Sequence, residues 1–374
     1  LALGRNENEN KFVKGLMQSE MSISPVTEDI VSLGASAAAQ ILDEEDKKNI
    51  DMVIVGTESG VDQSKASAVF IHHLLDIQPF ARCIEIKEAC YGATAALSFA
   101  KNYIEKNNDA SVLVIASDIA RYGIDTPGES TQGAGSVAML IKKDPAIAVI
   151  NDENICQTRD IMDFWRPNYS DFPYVDGHFS TKQYLDCLTT TFEEYKKRYS
   201  QSLDDFDAFC FHLPFPKLGL KAINSILEKN IEKEIKNDFL EKFHTSIIYG
   251  KRVGNIYTGS LYLSLLSLLE NCVNLNGGDK IGMYSYGSGA VCEFFNLTLA
   301  EGFKNHLRCD RLNDFENRKQ LSIEEYENMF FEKIVLDEEG NCDFSNNKFI
   351  QESDNSFVLA KIENHKRVYK KLNE

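Results

Sequence analysis

No run of apolar residues approaches the roughly 18 needed to cross a bilayer, so no membrane-spanning helix is expected. The opening Leu1-Ala-Leu-Gly-Arg-Asn-Glu-Asn is short and polar, unlike a secretory signal. Cations are in deficit: 40 Lys and Arg against 57 acidic residues give a formal charge of −17. That argues against nucleic acid as a partner, since phosphate contacts draw on Lys and Arg. A few local lysines would still suffice for a small phosphorylated ligand. The nine cysteines are odd in number and contain no C-x-x-C pair. A disulfide framework is therefore not expected, and a reducing cytoplasm is. No grouping of His, Cys and carboxylates has metal-ligand spacing, so no metal is expected. Gly287-x-Gly289 lacks the third glycine of a dinucleotide fingerprint.

What is present is an alternation of buried strands and helices over 374 residues, enough for two domains or one large duplicated one. Ser24-Pro25 reads as a helix start continued by Ala35 to Leu42. Asp51 to Val55 is a buried strand delivering Gly56-Thr57-Glu58-Ser59, and Ser64 to Leu75 is helical. Cys83 to Ile86 is a strand running into a helix that begins near Ala89 and is walled with small residues. Val112 to Ala116 and Ser136 to Ile141 are strands. Thr181 to Tyr199 is a helix, Ala208 to Phe211 a strand, and Lys217 to Phe243 a charged helical stretch. Ile256 to Leu269 is an apolar helix and Lys280 to Ser285 a strand. Ser322 with Glu325 forms a capping box; the polar tail beyond Asp337 carries little signal. The pattern argues a largely parallel sheet covered on both faces.

A repeat lies within this order. The strand ending at Glu58 has a counterpart ending at His212. The small-residue helix at Cys90 has one at Asn255, and Gly133-Ala134-Gly135 has one at Gly287-Ser288-Gly289. Glu58, Cys90, His212 and Asn255 thus each close a strand or open a helix, where ligands bind in open α/β sheets. Cys90 at a helix start is expected to lose its proton readily, and a thiolate is the nucleophile. Singly each signal is weak: a lone His after a strand is commonly structural, and an Asn after Gly is commonly a turn residue.

Together they carry a resemblance. Glu88-Ala-Cys-Tyr-Gly-Ala-Thr-Ala-Ala-Leu97, Val55-Gly-Thr-Glu-Ser59, Asp163-Phe-Trp-Arg-Pro167, Val175-Asp-Gly177, Phe211-His-Leu-Pro214, Arg252-Val-Gly-Asn-Ile-Tyr-Thr258 and Tyr284-Ser-Tyr-Gly-Ser-Gly289 span most of the chain. They resemble the bacterial 3-hydroxy-3-methylglutaryl-CoA synthases of the thiolase superfamily. The resemblance implies a thiolase-like α/β fold of two duplicated halves, residues 1–165 and 166–374, layered αβαβα and forming a homodimer. It implies a cytoplasmic enzyme of the mevalonate route that needs no cofactor and takes CoA thioesters as substrates. It implies Cys90 as the acetylated nucleophile, Glu58 as the general base, and His212 with Asn255 on the acceptor ketone. Ser288 with Cys90 would supply the oxyanion N–H groups, and Lys217 and Lys221 would meet CoA phosphates. Thr131 and Ser180 match substrate-contacting positions; Tyr122, Asp118 and Asp163 match polar positions lining the site. Two departures stand out: relatives carry a strand ahead of the position that is Leu1 here, and Ala93 stands where many have a second Gly. A ketoacyl synthase of the same fold is the alternative, although it does not need Glu58. A thiolase would need a second catalytic cysteine, and Cys292 sits within an apolar strand.

Overall fold

Along β1 (Ile50–Gly56) successive side chains point to opposite faces, and both faces are apolar. Met52 and Ile54 enter one core, Val53 and Val55 another. In the computed structural model, which describes residues 1–227, 231–351 and 356–372, β1 pairs in parallel with β2 (Arg82–Ile86) and β3 (Ser111–Ile119). β4 (Ala134–Ile141) runs antiparallel to β3, giving the order β2-β1-β3-β4. A second sheet is built from β5 (Ala148–Thr158), β6 (Ala208–Phe211), β7 (Lys280–Gly287) and β8 (Val291–Leu299), in the order β5-β8-β7-β6. Its β6 and β7 are parallel, and β8 is antiparallel to β7. The repeat is therefore topological: β1, β3 and β4 correspond to β6, β7 and β8.

The covering helices are α1 (Ile30–Ala39), α2 (Ser67–Leu74), α3 (Gly92–Lys106), α4 (Gly177–Tyr199), α5 (Pro216–Ile226), α6 (Lys233–Ser246) and α7 (Ser260–Asn271). α1 and α2 pack on the outer face of the first sheet, and α4 to α6 on the outer face of the second. Between the sheets lie α3 and α7, sharing one core with Ile54 and Val114 of the first sheet and Cys210 and Met283 of the second. This is the expected αβαβα layering. Small residues let α3 lie close: a Cβ at Gly56 would sit 2.4 Å from the Ala93 nitrogen.

Several elements differ from expectation for local reasons. α1 begins at Ile30, because the Asp29 carboxylate accepts from the N–H groups of Val31 and Ser32 at 3.0 and 3.2 Å. Asp43 caps a further short helix, Glu44–Asn49. The stretch Lys217 to Phe243 is two helices, with residues 228–230 outside the described residues. The apolar helix starts at Ser260, after a single 3₁₀ turn over Tyr257–Gly259. The boundary at 165 falls late, since β5 is already a strand of the second sheet. The capping box of Ser322 with Glu325 forms. The polar tail is not featureless: Cys342–Asp343, Phe357–Glu363 and Lys366–Lys371 form an antiparallel sheet. It returns to the first half, where Arg367 Nη1 pairs with Asp29 at 2.8 Å.

Candidate active site

Strand ends from both halves meet beside the start of α3. Cys90 lies two residues before that helix, which starts at Gly92 with Tyr91 as its cap, so the helix opens later than the sequence suggests. The preceding Ala89 has φ of 43°, a left-handed conformation that costs an L residue about 1–2 kcal/mol. The turn is wedged from both sheets. A Cβ at Gly287 would meet the Glu88 carbonyl at 2.6 Å and Tyr91 Cβ at 2.8 Å.

The half-buried Cys90 thiol donates to Glu58 Oε1 at 3.4 Å. Its pKa is pushed well up, first by burial, then by the charges of Glu58 and Asp118. The lowered thiol pKa expected from a helix start is thus not found. Cys90 lies outside the helix, where the dipole falls off, and two carboxylates oppose it. Glu58 is raised to about 8, mainly by burial and by Asp118, with Arg166 opposing. Thiol and carboxyl therefore meet in one proton-transfer contact, in which the sulfur holds its proton the more tightly.

Asp118 is fully buried and accepts five hydrogen bonds: from Thr57 Oγ1, Glu58 N and Ser59 Oγ on Oδ1, and from Thr258 N and Oγ1 on Oδ2. Burial pushes its pKa up while the donors oppose. Asp163 is equally buried; it accepts from Ser180 Oγ at 3.0 Å, Tyr286 OH at 2.8 Å and Gly289 N at 3.0 Å. The two aspartates frame the site: Asp118 ties the Glu58 turn to Thr258, and Asp163 holds the turn bearing Ser288. Ser180, half-buried on α4, spends its hydroxyl on Asp163.

His212 directly follows β6, 2% exposed, with its N–H donating to the Tyr284 carbonyl at 2.8 Å. Its Nδ1 is buried without a partner. Burial lowers its pKa to about 3, so the ring is neutral. Asn255 is fixed on three sides. Its Nδ2 donates to Tyr122 OH at 2.8 Å, and its Oδ1 accepts from Tyr257 N at 2.9 Å and Ser260 Oγ at 2.8 Å. Gly254, at φ of 90°, makes room: a Cβ there would lie 2.0 Å from the Gln132 carbonyl. Thr131 acts through its backbone, its carbonyl accepting from Asn255 N at 2.8 Å while its hydroxyl donates to Gly128 O. Among the described residues the N–H groups of Cys90 and Ser288 donate to no protein acceptor. Lys217 and Lys221, on the first two turns of α5, enter no ion pair among the described residues. No cluster of three metal-ligating side chains exists among them either.

Arg166 has no assigned role in the sequence reading, although it lies within the string Asp163 to Pro167. Its Nη2 donates to the Glu58 carbonyl. The Thr57, Ser59 and Thr258 clamp on Asp118 is equally invisible, because hydroxyls after a strand have no distinctive pattern. Tyr257 packs edge-on against Tyr122 and Phe164, closing an aromatic wall.

Family models match most of the chain. Residues 4–146 match the model of the hydroxymethylglutaryl-coenzyme A synthase N-terminal domain, and residues 150–227 and 219–372 that of the C-terminal domain. The chain is 50% identical over 338 residues to the hydroxymethylglutaryl-CoA synthase of Enterococcus faecalis, covering 90% of this chain and 88% of that protein. It is 33% identical to a polyketide-biosynthesis 3-hydroxy-3-methylglutaryl-ACP synthase of Bacillus subtilis, over 85% of this chain and 80% of that one. A crystal structure of a synthase complexed with CoA superposes with a TM-score of 0.96 at 57% identity, covering 99% of this chain and 94% of the other. A solved structure of a protein in complex with 3-hydroxy-3-methylglutaryl coenzyme A gives 0.85 at 30% identity, over 100% of this chain and 94% of the other.

Proposed function

We propose that this chain, which belongs to the hydroxymethylglutaryl-CoA synthase family, condenses acetyl-CoA with acetoacetyl-CoA and water to 3-hydroxy-3-methylglutaryl-CoA and CoA. The observation that carries the proposal is the contact of the Cys90 thiol with Glu58 Oε1 at 3.4 Å. Cys90 sulfur attacks the acetyl-CoA carbonyl as its proton passes to Glu58. The oxyanion is met by the free N–H groups of Cys90 and Ser288. CoA thiolate leaves and takes the proton back from Glu58, so the acetyl-enzyme forms with the carboxylate regenerated. A carboxyl group near pKa 8 suits this exchange, since thiols ordinarily ionise at about 8.5.

Glu58 then removes a proton from the acetyl methyl group, and the enolate carbon attacks the ketone of acetoacetyl-CoA. A neutral His212 and the clamped Asn255 amide suit hydrogen bonding to that ketone without protonating it. The new alkoxide takes its proton from Glu58, and water hydrolyses the thioester to Cys90. Tyr122, hydrogen-bonded to Asn255, supports the acceptor side. Lys217 and Lys221 would meet the CoA phosphates. Thr131 and Ser180 serve the substrate indirectly, through Asn255 and Asp163. The scheme uses no metal or cofactor.

A ketoacyl-synthase-type enzyme of the same fold has no use for a carboxylate beside its cysteine, so Glu58 favours the synthase. No helix among the described residues is long and apolar enough to cross a membrane. We place the enzyme in the cytoplasm as a homodimer of the mevalonate route. The nine free thiols are in keeping with a reducing compartment, and light scattering would test the dimer. The activity is tested by mixing the enzyme with both thioesters and following CoA release and product by mass spectrometry. Brief exposure to labelled acetyl-CoA should place the label on Cys90; label on Cys83 or Cys292 would overturn the assignment.

A further inference from the structure

The main chain of Glu58 is gripped from two sides. Its N–H donates to Asp118 Oδ1 at 2.9 Å, and its carbonyl accepts from Arg166 Nη2. Arg166 directly follows the strand Phe164–Trp165, which pairs with Tyr174–Val175 in a two-stranded ribbon. That ribbon is anchored at its base by the buried Asp163. The guanidinium is therefore delivered from the second half onto the β1 end of the first.

The charged and titratable groups facing Glu58 come from several elements. Asp118 stands at the end of β3, Glu88 and Cys90 in the turn before α3, Tyr122 in the loop after β3, and Tyr257 in the turn before α7. All of these are acids or neutral hydroxyls; Arg166 is the cation among them. A carboxylate beside a buried Asp118 needs a compensating positive charge if it is to exist at all.

We propose that Arg166 is a positioning residue for the condensation: it pins the Glu58 main chain and supplies the positive charge that lets the side chain ionise beside Asp118. The proposal rests on Glu58 being the base. Burial and Asp118 push Glu58 up, and Arg166 pulls it down. Loss of the charge should move Glu58 higher still and leave less base at neutral pH. A plain ribbon anchor would change folding or substrate affinity but leave the titration where it is.

The test uses full-length enzyme with the two half-reactions measured apart. Pre-acetylated enzyme receives acetoacetyl-CoA, and the condensation rate is followed from pH 6 to 10 in the parent, Arg166→Gln and Arg166→Lys. Gln keeps a donor for the Glu58 carbonyl without the charge; Lys keeps the charge. The rising limb should move up by about one unit in Arg166→Gln, a loss of about tenfold at pH 7, and stay near the parent in Arg166→Lys. If the two variants move alike, or if Arg166→Gln raises only KM with the limb unmoved, Arg166 has no electrostatic role. Should the Gln variant fail to fold, an upward limb in the folded Lys variant would still overturn the proposal, and a parent-like limb would support it. The two readings fail differently. A limb that survives in Glu58→Gln removes Glu58 as base, whereas a limb lost there but unmoved in Arg166→Gln removes only Arg166.

Discussion

Replacing Glu58 with Ala separates the two half-reactions. The substitution removes the acceptor of the Cys90 thiol proton, but it also removes a charge and a hydrogen bond that hold the thiol pKa up. These effects oppose one another, so acetylation of Cys90 should slow little. Condensation has no such compensation. A methyl group beside a thioester is a weak carbon acid, and Asp118 and Asp163, whose charges also act on Cys90, are occupied by protein donors. General-base catalysis contributes roughly 10²–10⁴ in rate, or about 3–5 kcal/mol at 1.36 kcal/mol per decade. The second phase should fall by that factor. With Glu58 near 8, about a tenth is ionised at pH 7, so parent condensation should rise about tenfold by pH 9 and the variant should stay flat. Burst labelling by acetyl-CoA, followed by formation of 3-hydroxy-3-methylglutaryl-CoA after acetoacetyl-CoA is added, resolves both phases in one experiment. Condensation within about threefold of the parent would refute the reasoning, leaving Glu58 a strand-end charge and favouring the ketoacyl-synthase chemistry.

Other changes have equally definite outcomes. His212→Ala should weaken acetoacetyl-CoA binding while acetylation persists; equal loss of both half-reactions would make His212 the partner of Cys90 instead. Asp118→Asn puts an amide donor among five donors, and should destabilise the fold by about 1–3 kcal/mol, read as a lower urea midpoint. Glu58 is raised on folding, so its ionisation is less favourable in the native state. The stability it contributes is present below about 4.5 and lost as pH rises to about 8. Glu58→Gln should therefore gain on the parent in melting temperature across that window, and a constant gap would contradict the sign. Leu268→Ala, in the fully buried layer between the sheets, should cost about 2–5 kcal/mol while the pH profile of surviving enzyme is unchanged.

What the sequence made legible was whatever had a period or a long specific string. Continuous apolar runs along β1 and β3 foretold two-sided burial, because successive residues of a strand point to opposite faces. The repeat foretold the stacked halves through the order of β1, β3 and β4 against β6, β7 and β8. Elements stabilised by distant partners left no such trace. β5 is an antiparallel neighbour of β8, more than 130 residues away in Val291↔Thr158, and its half-polar face reads as irregular chain. The C-terminal sheet is held by Asp29 and a core from the first half, so its own residues look like a solvated tail. The same division runs through the site. Cys90, Glu58, His212 and Asn255 could be singled out because strand ends and helix starts are local features. Whether a side chain faces substrate or frame is decided by who donates to it: Asp118 looks like a site residue until Thr57, Ser59 and Thr258 are seen to occupy it. The proton affinity of Cys90 is likewise a property of the assembled field, in which burial and neighbouring carboxylates outweigh the helix start. A nucleophile read from a helix terminus alone therefore comes with the wrong resting charge, because Glu58, arriving from another strand, helps to set it.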